Sequence, residues 1–312
     1  MPSLHNGSVS APAKINRLKR RRRPGEKLIE GFVALNGVLA IIVLIGVLVL
    51  LIKEGLPIFR YTPPWKFFFG TKWYPVSDPP TFGIIPFFVA TLVITAISTL
   101  LAIPIGVGSA VFLAEVASPG LRKIVKPAIE LLAGIPSVVM GFIGLVLLSP
   151  LVQSAFNLNT GLCGLTAAIM LSLMSLPVIV TVSDDALRAV PVELRQASYA
   201  LGVTSWDTIR NLTLPSAISG ISAAIMLGVG RAIGETMTVL MVAGGALAVP
   251  YSPTQPMMPM TAAIASGIGN AVRGGLQYQA LFAIGLTLFV FTLLINLLAD
   301  RILKAQKRKF LR

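Results

Sequence analysis

Six stretches of this chain are almost wholly apolar, near residues 31–52, 85–110, 128–148, 162–182, 218–242 and 281–299. A hydrocarbon layer about 30 Å thick is crossed by roughly 20 helical residues, and within it every backbone amide must be satisfied inside the segment or in a closed barrel. The pattern therefore predicts an all-α integral membrane protein with six transmembrane helices. Only 12% of the residues are charged, against about 25% in soluble domains. Two soluble domains of this combined length would lack the polar residues to cover their cores.

The formal charge of +14 invites a nucleic-acid reading, so where the 26 Lys and Arg residues fall matters more than their number. Eight lie between Lys14 and Lys27, and six between Arg301 and Arg312. Charge that flanks apolar spans is topogenic, and no nucleic-acid partner is expected. With the N-terminus inside, 20 basic residues fall on the inner side, including Arg122, Lys123, Lys126, Arg188, Arg195 and Arg210. Five fall outside: Lys53, Arg60, Lys66, Lys72 and Arg273. The asymmetry puts both termini in the cytoplasm. The apolar run 31–52 exceeds the core of a secretion signal and has no small-x-small site after it, so it reads as a retained first span.

The boundaries implied are a basic tail over 1–28, the first span and an aromatic, Pro-rich outer loop over 29–84, a membrane core over 85–300, and a basic tail over 301–312. The segments 63–69 and 73–82 suit an interfacial cap. Residues 261–271 suit a short helix dipping into the protein. His5 lies in a polar tail and Cys163 is the single cysteine, which leaves no His-based catalysis, disulfide or cysteine metal cluster. No Gly-x-x-x-x-Gly-Lys-Ser/Thr loop is present to bind ATP. No catalytic residue, metal site or cofactor is assigned.

The loop after the fourth span carries the most specific pattern. Pro191 opens a short helix, Gly202 ends it, and a second short helix ends at Pro215, which opens the next span. Gln196, Ala197 and Ser198, then Gly202, then Leu212, Leu214 and Pro215 match the spacing of Glu-Ala-Ala, three residues, Gly, nine residues, Ile, one residue, Leu-Pro. This resembles the "EAA" loop of ABC-importer membrane subunits, with Gln, Ser and Leu replacing Glu, Ala and Ile. The resemblance implies a coupling loop, about 184–215, that docks on a cytoplasmic ATPase. Asp184 and Asp185, just before it, read as solvated interfacial charges.

The second constellation lies in the fifth span. Arg231 falls near mid-membrane, where a charge costs at least about 2.5–3.5 kcal/mol and faces protein or a water-filled path. At a spacing of four, Arg231 and Glu235 share a helix face that continues to Thr238. Two readings stay open and can coexist. One is a structural ion pair, with Gly230 and Gly234 allowing a close helix approach. The other is an anion site in which the guanidinium offers paired donors and Glu235 holds it in place.

The run from Gly230 to Met237, with Phe82 to Phe87, Gly134 to Val139 and Met260 to Ala262, is similar to PstC-type permease subunits of phosphate ABC importers. That resemblance implies a type I ABC importer permease core over 85–300, in the bacterial inner membrane. Its implied partners are a second, PstA-type permease subunit, two PstB-type ATPase subunits, a periplasmic PstS-type phosphate-binding protein, phosphate and membrane lipid. It also implies a substrate pathway at Arg231, Glu235 and Thr238, and ATPase coupling at Gln196, Ala197, Ser198, Gly202, Leu212, Leu214 and Pro215. The sister PstA-type subunit, a permease for molybdate or sulfate, and an ion-driven carrier or membrane enzyme without an ATPase are the alternatives.

Overall fold

The computed structural model describes residues 24–310, and the side chains of residues 29–299 and of Arg301. His5 and the basic run from Lys14 to Arg23 lie outside the described residues. The chain divides into two compact units, Met1–Val49 and Leu50–Arg312. The described part of the first unit belongs wholly to helix α1 (Pro24–Gly55), whose side chains over 29–49 are apolar apart from Glu30 and Asn36 and almost all exposed. A helix without a polar face needs lipid or protein as its solvent.

Among the described residues, six helices are long and apolar enough to span a membrane: Ile29–Arg60, Ile85–Val116, Ser137–Ala155, Gly164–Arg188, Ser205–Gly234 and Leu276–Ala299. Four of these agree with the sequence expectation to within a few turns, and two differ for identifiable reasons. The third span was expected over 128–148. Instead Gly134 and Pro136 interrupt it, so that helix α4 (Pro119–Ala133) is separate and the span begins at α5 (Ser137–Ile143). A π-helical turn over Gly144–Leu148 joins α5 to α6 (Ser149–Ala155). The basic loop expected over 121–127 is thereby helical, part of α4.

The fifth span was expected to reach residue 242. Helix α10 (Leu214–Gly234) stops at Gly234, Glu235 is extended, and α11 (Met237–Val242) starts anew. At its other end the span is longer than expected. Helices α8 (Val192–Ala200) and α9 (Ser205–Thr208) are separated at Gly202, as the sequence predicts, but α9 runs through a π turn, Ile209–Thr213, straight into α10. Pro215 therefore sits inside a continuous helical rod. The π turn ends two residues before Pro215, whose missing amide interrupts the α pattern.

Within the second unit, α7 (Gly164–Arg188) is the central helix: 61% of its most apolar window is buried, against 28% for the spans containing α3 (Ile85–Val111) and α10. Lipid chains are as apolar as leucine, so close packing rather than water exclusion holds such helices together. Ile179, 1% exposed, supplies it. A Cβ placed on Gly106 of α3 would lie 2.7 Å from Ile179 Cγ2, and one on Gly228 of α10 would lie 2.6 Å from Ile179 Cγ1. Two glycines thus receive one β-branched side chain from both flanks. Gly230 and Gly234, expected to mediate such an approach, have no neighbour where a Cβ would stand. The glycines of α10 that pack on α7 are Gly228 and Gly220, the latter against Ala186.

One end of this unit is capped by aromatics, as expected. After a 3-10 turn (Leu56–Arg60) come α2 (Pro64–Phe69) and a short antiparallel pair, β1 (Trp73–Tyr74) and β2 (Thr81–Phe82), with Trp73 opposite Phe82. Trp73 meets Phe82 and Phe87 edge to face at 5.5 and 5.1 Å, an arrangement favoured by the ring quadrupoles. The same cluster includes Met260 and Ala263 of α12 (Met260–Ile268) and Leu281 and Ile284 of α13 (Leu276–Phe310). The dipping helix expected over 261–271 is α12, its first four residues buried.

Candidate functional site

At the end of α3 and α7 away from the aromatic cap, the chain forms an elbow from α8 and α9. Gly202 has φ +76° and nothing within 4 Å of a Cβ position. The residue is therefore demanded by backbone conformation and not by crowding. Thr204 caps α9, its Oγ1 accepting from Asp207 N at 3.2 Å and donating to Asp207 Oδ2 at 2.7 Å. Ser198 Oγ and Thr208 Oγ1 lie 2.9 Å apart, bracing the two helices. Gln196 and Ala197 are exposed, and Leu212, Leu214 and Pro215 are half-buried on the rod. Leu201 is 83% and Trp206 64% exposed, with Val192, Leu194 and Tyr199 also open. So large an apolar patch on a polar loop fits a surface made for a partner.

The elbow is fastened by charges that sequence reasoning misjudged. Asp184 is 1% exposed and accepts from Arg122 Nη2 at 2.8 Å, Lys126 Nζ at 3.1 Å and Arg188 Nε at 3.0 Å. It is a buried hub joining α4 to α7, not a solvated charge. Asp185 remains exposed and takes Lys126 Nζ at 2.9 Å. The Lys126 pKa is raised, chiefly by the hydrogen bond to Asp185 and further by Asp184, against the opposing effect of partial burial. Arg188 also donates to Leu113 O at 3.0 Å, at the end of the second span. The i,i+4 spacing of Asp184 and Arg188 was legible in the sequence; the approach of Arg122 and Lys126 from 58 to 62 residues away was not.

The break at Glu235 changes the meaning of the two charges of the fifth span. Arg231 lies in the last turn of α10, where a cation meets the negative end of the helix dipole. Glu235 Oε1 accepts from the backbone N–H groups of Thr236, Met237 and Thr238 at 3.1, 3.1 and 3.2 Å, capping α11. The two side chains form no ion pair with each other, and among the described residues Arg231 has no hydrogen-bond or ion-pair partner. The shared helix face read from the sequence does not exist, because the helix ends between them.

Thr238 is buried and donates to Ser137 O at 3.0 Å, which ties the start of α11 to the start of α5. Thr261 Oγ1 donates to Glu235 O at 2.8 Å, satisfying a carbonyl freed by the break. Thr91, Thr95, Glu235 and Thr261 line a narrow crevice between α3, α10 and α12. Two interrupted spans thus meet at one depth, with a partly buried guanidinium on the helix that ends there. Discontinuous helices of this kind occur in membranes where backbone lines a cavity or is buried in protein.

Comparison with known proteins agrees with this architecture. The model of the family described as "Binding-protein-dependent transport system inner membrane component" matches residues 102–312. The probable ABC transporter permease protein YqgH of Bacillus subtilis (strain 168) is 39% identical over 76% of this chain and 78% of its own length. The phosphate transport system permease protein PstC of Mesorhizobium japonicum is 35% identical over 81% of this chain and 85% of its own. That of Haemophilus influenzae is 34% identical over 91% and 95%. Among solved structures, a bacterial alginate ABC transporter chain is similar with a TM-score of 0.62 at 18% identity, over 92% of this chain and 99% of that one. A MetNI methionine ABC transporter chain has a TM-score of 0.55 at 22% identity, over 70% and 93%. At those identities the structures speak for the fold, a type I ABC importer permease, while the family match and the relatives speak for descent. This chain belongs to the binding-protein-dependent transport system inner membrane component family, and is an integral membrane permease of the ABC type.

Proposed function

We propose that this chain is the permease subunit of an ATP-driven importer that carries inorganic phosphate across the bacterial inner membrane. The observation that carries the substrate is the similarity to PstC proteins over four-fifths or more of the chain. The observation that supports the drive is the exposed apolar elbow at Gly202, fastened to α4 and α7 and continuous with α10. Two cytoplasmic ATPase subunits dock on this elbow and on that of a second, homologous permease subunit. A periplasmic phosphate-binding protein delivers the anion at the capped end, and both termini lie in the cytoplasm.

In this reading ATP closes the ATPases, the elbows move with them, and the helix rods open outward; hydrolysis returns them. The coupling residues are Gln196, Ala197, Ser198 and Gly202, with Leu212, Leu214 and Pro215 on the rod that carries the motion. Arg231 gives passing phosphate a cationic partner in a low-dielectric setting, while Glu235 and Thr238 hold the break beside it open. The geometry favours this division of roles over a closed ion pair, because Glu235 is occupied by α11 and Arg231 is not neutralised by it.

The test is reconstitution of the whole complex with its binding protein. Phosphate, and neither molybdate nor sulfate, is expected to stimulate ATP hydrolysis and enter the vesicles. Stimulation by sulfate or molybdate instead would replace the substrate. Uptake that survives ATP depletion while an ion gradient is kept would remove the importer reading altogether.

A further inference from the structure

A second link joins the elbow to the membrane core, and it involves a helix with which the elbow has no covalent connection. Helix α8 follows α7 after three residues and leads through α9 into α10, but α3 ends at Val111, about 80 residues before α8 begins at Val192. The end of α3 is a π turn, Phe112–Val116. π turns are rare and frequently mark functional positions. Phe112 and Val116 face outward, 43% and 63% exposed, while the side chain of Glu115 between them is turned inward and 7% exposed. Glu115 meets Arg195 of α8, whose Nη2 lies 2.9 Å from Glu115 Oε1 and donates to Leu187 O at 2.7 Å.

The contact is close yet incompletely satisfied. Glu115 Oε1 and Arg195 Nε are both buried, and neither completes a hydrogen bond. Of the six such buried side-chain atoms among the described residues, two more, Ser183 Oγ and Thr213 Oγ1, lie one turn from Val180, Leu187 and Ala217 in the apolar cluster beneath the elbow. A buried polar group without its partner costs about 1–3 kcal/mol; here the 2.9 Å approach of opposite charges offsets part of that cost, so the pair is held by charge while its hydrogen-bond geometry stays incomplete. By contrast, the Asp184 hub has its hydrogen bonds made, and its Arg188 also reaches Leu113 O in the same π turn.

We propose that Glu115 and Arg195 form a strap that passes displacement of the coupling helix to the second span, with Glu115 as a positioning residue for transport. The proposal rests on the docking of this elbow to an ATPase. A rigid hub ties α4 to α7, and the under-satisfied strap re-forms its hydrogen bonds as α8 shifts, pulling the end of α3 with it. The motor then moves three spans through one elbow: α7 and α10 through the backbone, and α3 through a charge pair that adds to the Arg188–Leu113 contact made from α7.

The experiment measures phosphate imported per ATP hydrolysed by the reconstituted complex, for Glu115→Gln, Arg195→Gln and the double variant. Each single substitution is expected to lower the ratio roughly threefold to tenfold, the scale on which residues between coupled sites act. The double variant is expected to lower it no further than the worse single, because the two residues act as one unit. Unchanged ratios in the assembled singles, or losses that simply multiply, overturn the strap. If Glu115→Gln reduces assembly, restored assembly in the double variant with the Arg195→Gln ratio supports the pair. Failure of both to assemble makes the pair a folding element and overturns its role in transmission. Copurification of the ATPase with the unaltered complex is scored separately, so that a failure of docking is distinguished from a failure of the strap.

Discussion

Arg231 and Glu235 stand on opposite sides of a helix end, and the difference separates what each substitution does. Arg231→Ala is expected to abolish uptake while the complex still assembles, and normal uptake would remove the anion role. Glu235→Gln keeps an oxygen for the three amides of α11 and is expected to retain most of the thermal stability. Glu235→Ala loses the cap and is expected to cost about 0.5–2 kcal/mol. Transport lost in Glu235→Gln at unchanged stability would assign the charge itself to the pathway. At the elbow, Asp184→Ala leaves three cations around an empty buried position and is expected to cost about 3–5 kcal/mol in thermal unfolding of the purified protein. Lys126 has its pKa raised above the ordinary 10.5, so its stabilising contribution is complete below that value and lost only as pH rises beyond it. Between pH 6 and 9 the melting midpoint of the unaltered protein should therefore not move on its account, and a Lys126→Met variant should lie below it by a constant interval.

Among the elements, the elbow depends on one residue in the left-handed region. Any L-residue other than Asn or Asp at position 202 pays about 1–2 kcal/mol for φ +76°. Gly202→Asn is expected to keep coupled uptake, whereas Gly202→Glu is expected to uncouple ATP hydrolysis from it. Equal uptake in the two variants would show that the turn does not set the orientation of α8 against α9. The glycine stop and the Thr204 cap were legible because each acts within a few residues. The breaks at 134–136 and at Glu235 were less so. Glu235 follows an apolar run that continues to Val242, and its capping role appears only once the helix has ended. Likewise Pro215 looks like a helix start, and only the π turn before it keeps the rod continuous.

For the molecule as a whole, the membrane orientation can be tested with reporters at the two ends of the second unit. Cys163 is fully buried, so an added cysteine is read over a silent background. Val76, 93% exposed beside the aromatic cap, and Leu201 on the elbow are the positions of choice. An impermeant thiol reagent is expected to label Val76→Cys in intact spheroplasts and Leu201→Cys only after permeabilisation. The reverse pattern would put the elbow outside and end the importer reading. The sequence by itself determined the membrane class, the number of spans and the elbow, because apolar length and turn chemistry are local and the bilayer allows few alternatives. Only the tertiary structure decided that Ile179 packs between Gly106 and Gly228, that Asp184 is a buried hub, and that Glu235 caps α11 and leaves Arg231 unpaired. Those outcomes depend on which side chains meet across tens of residues of chain, and no spacing within one segment encodes such a meeting.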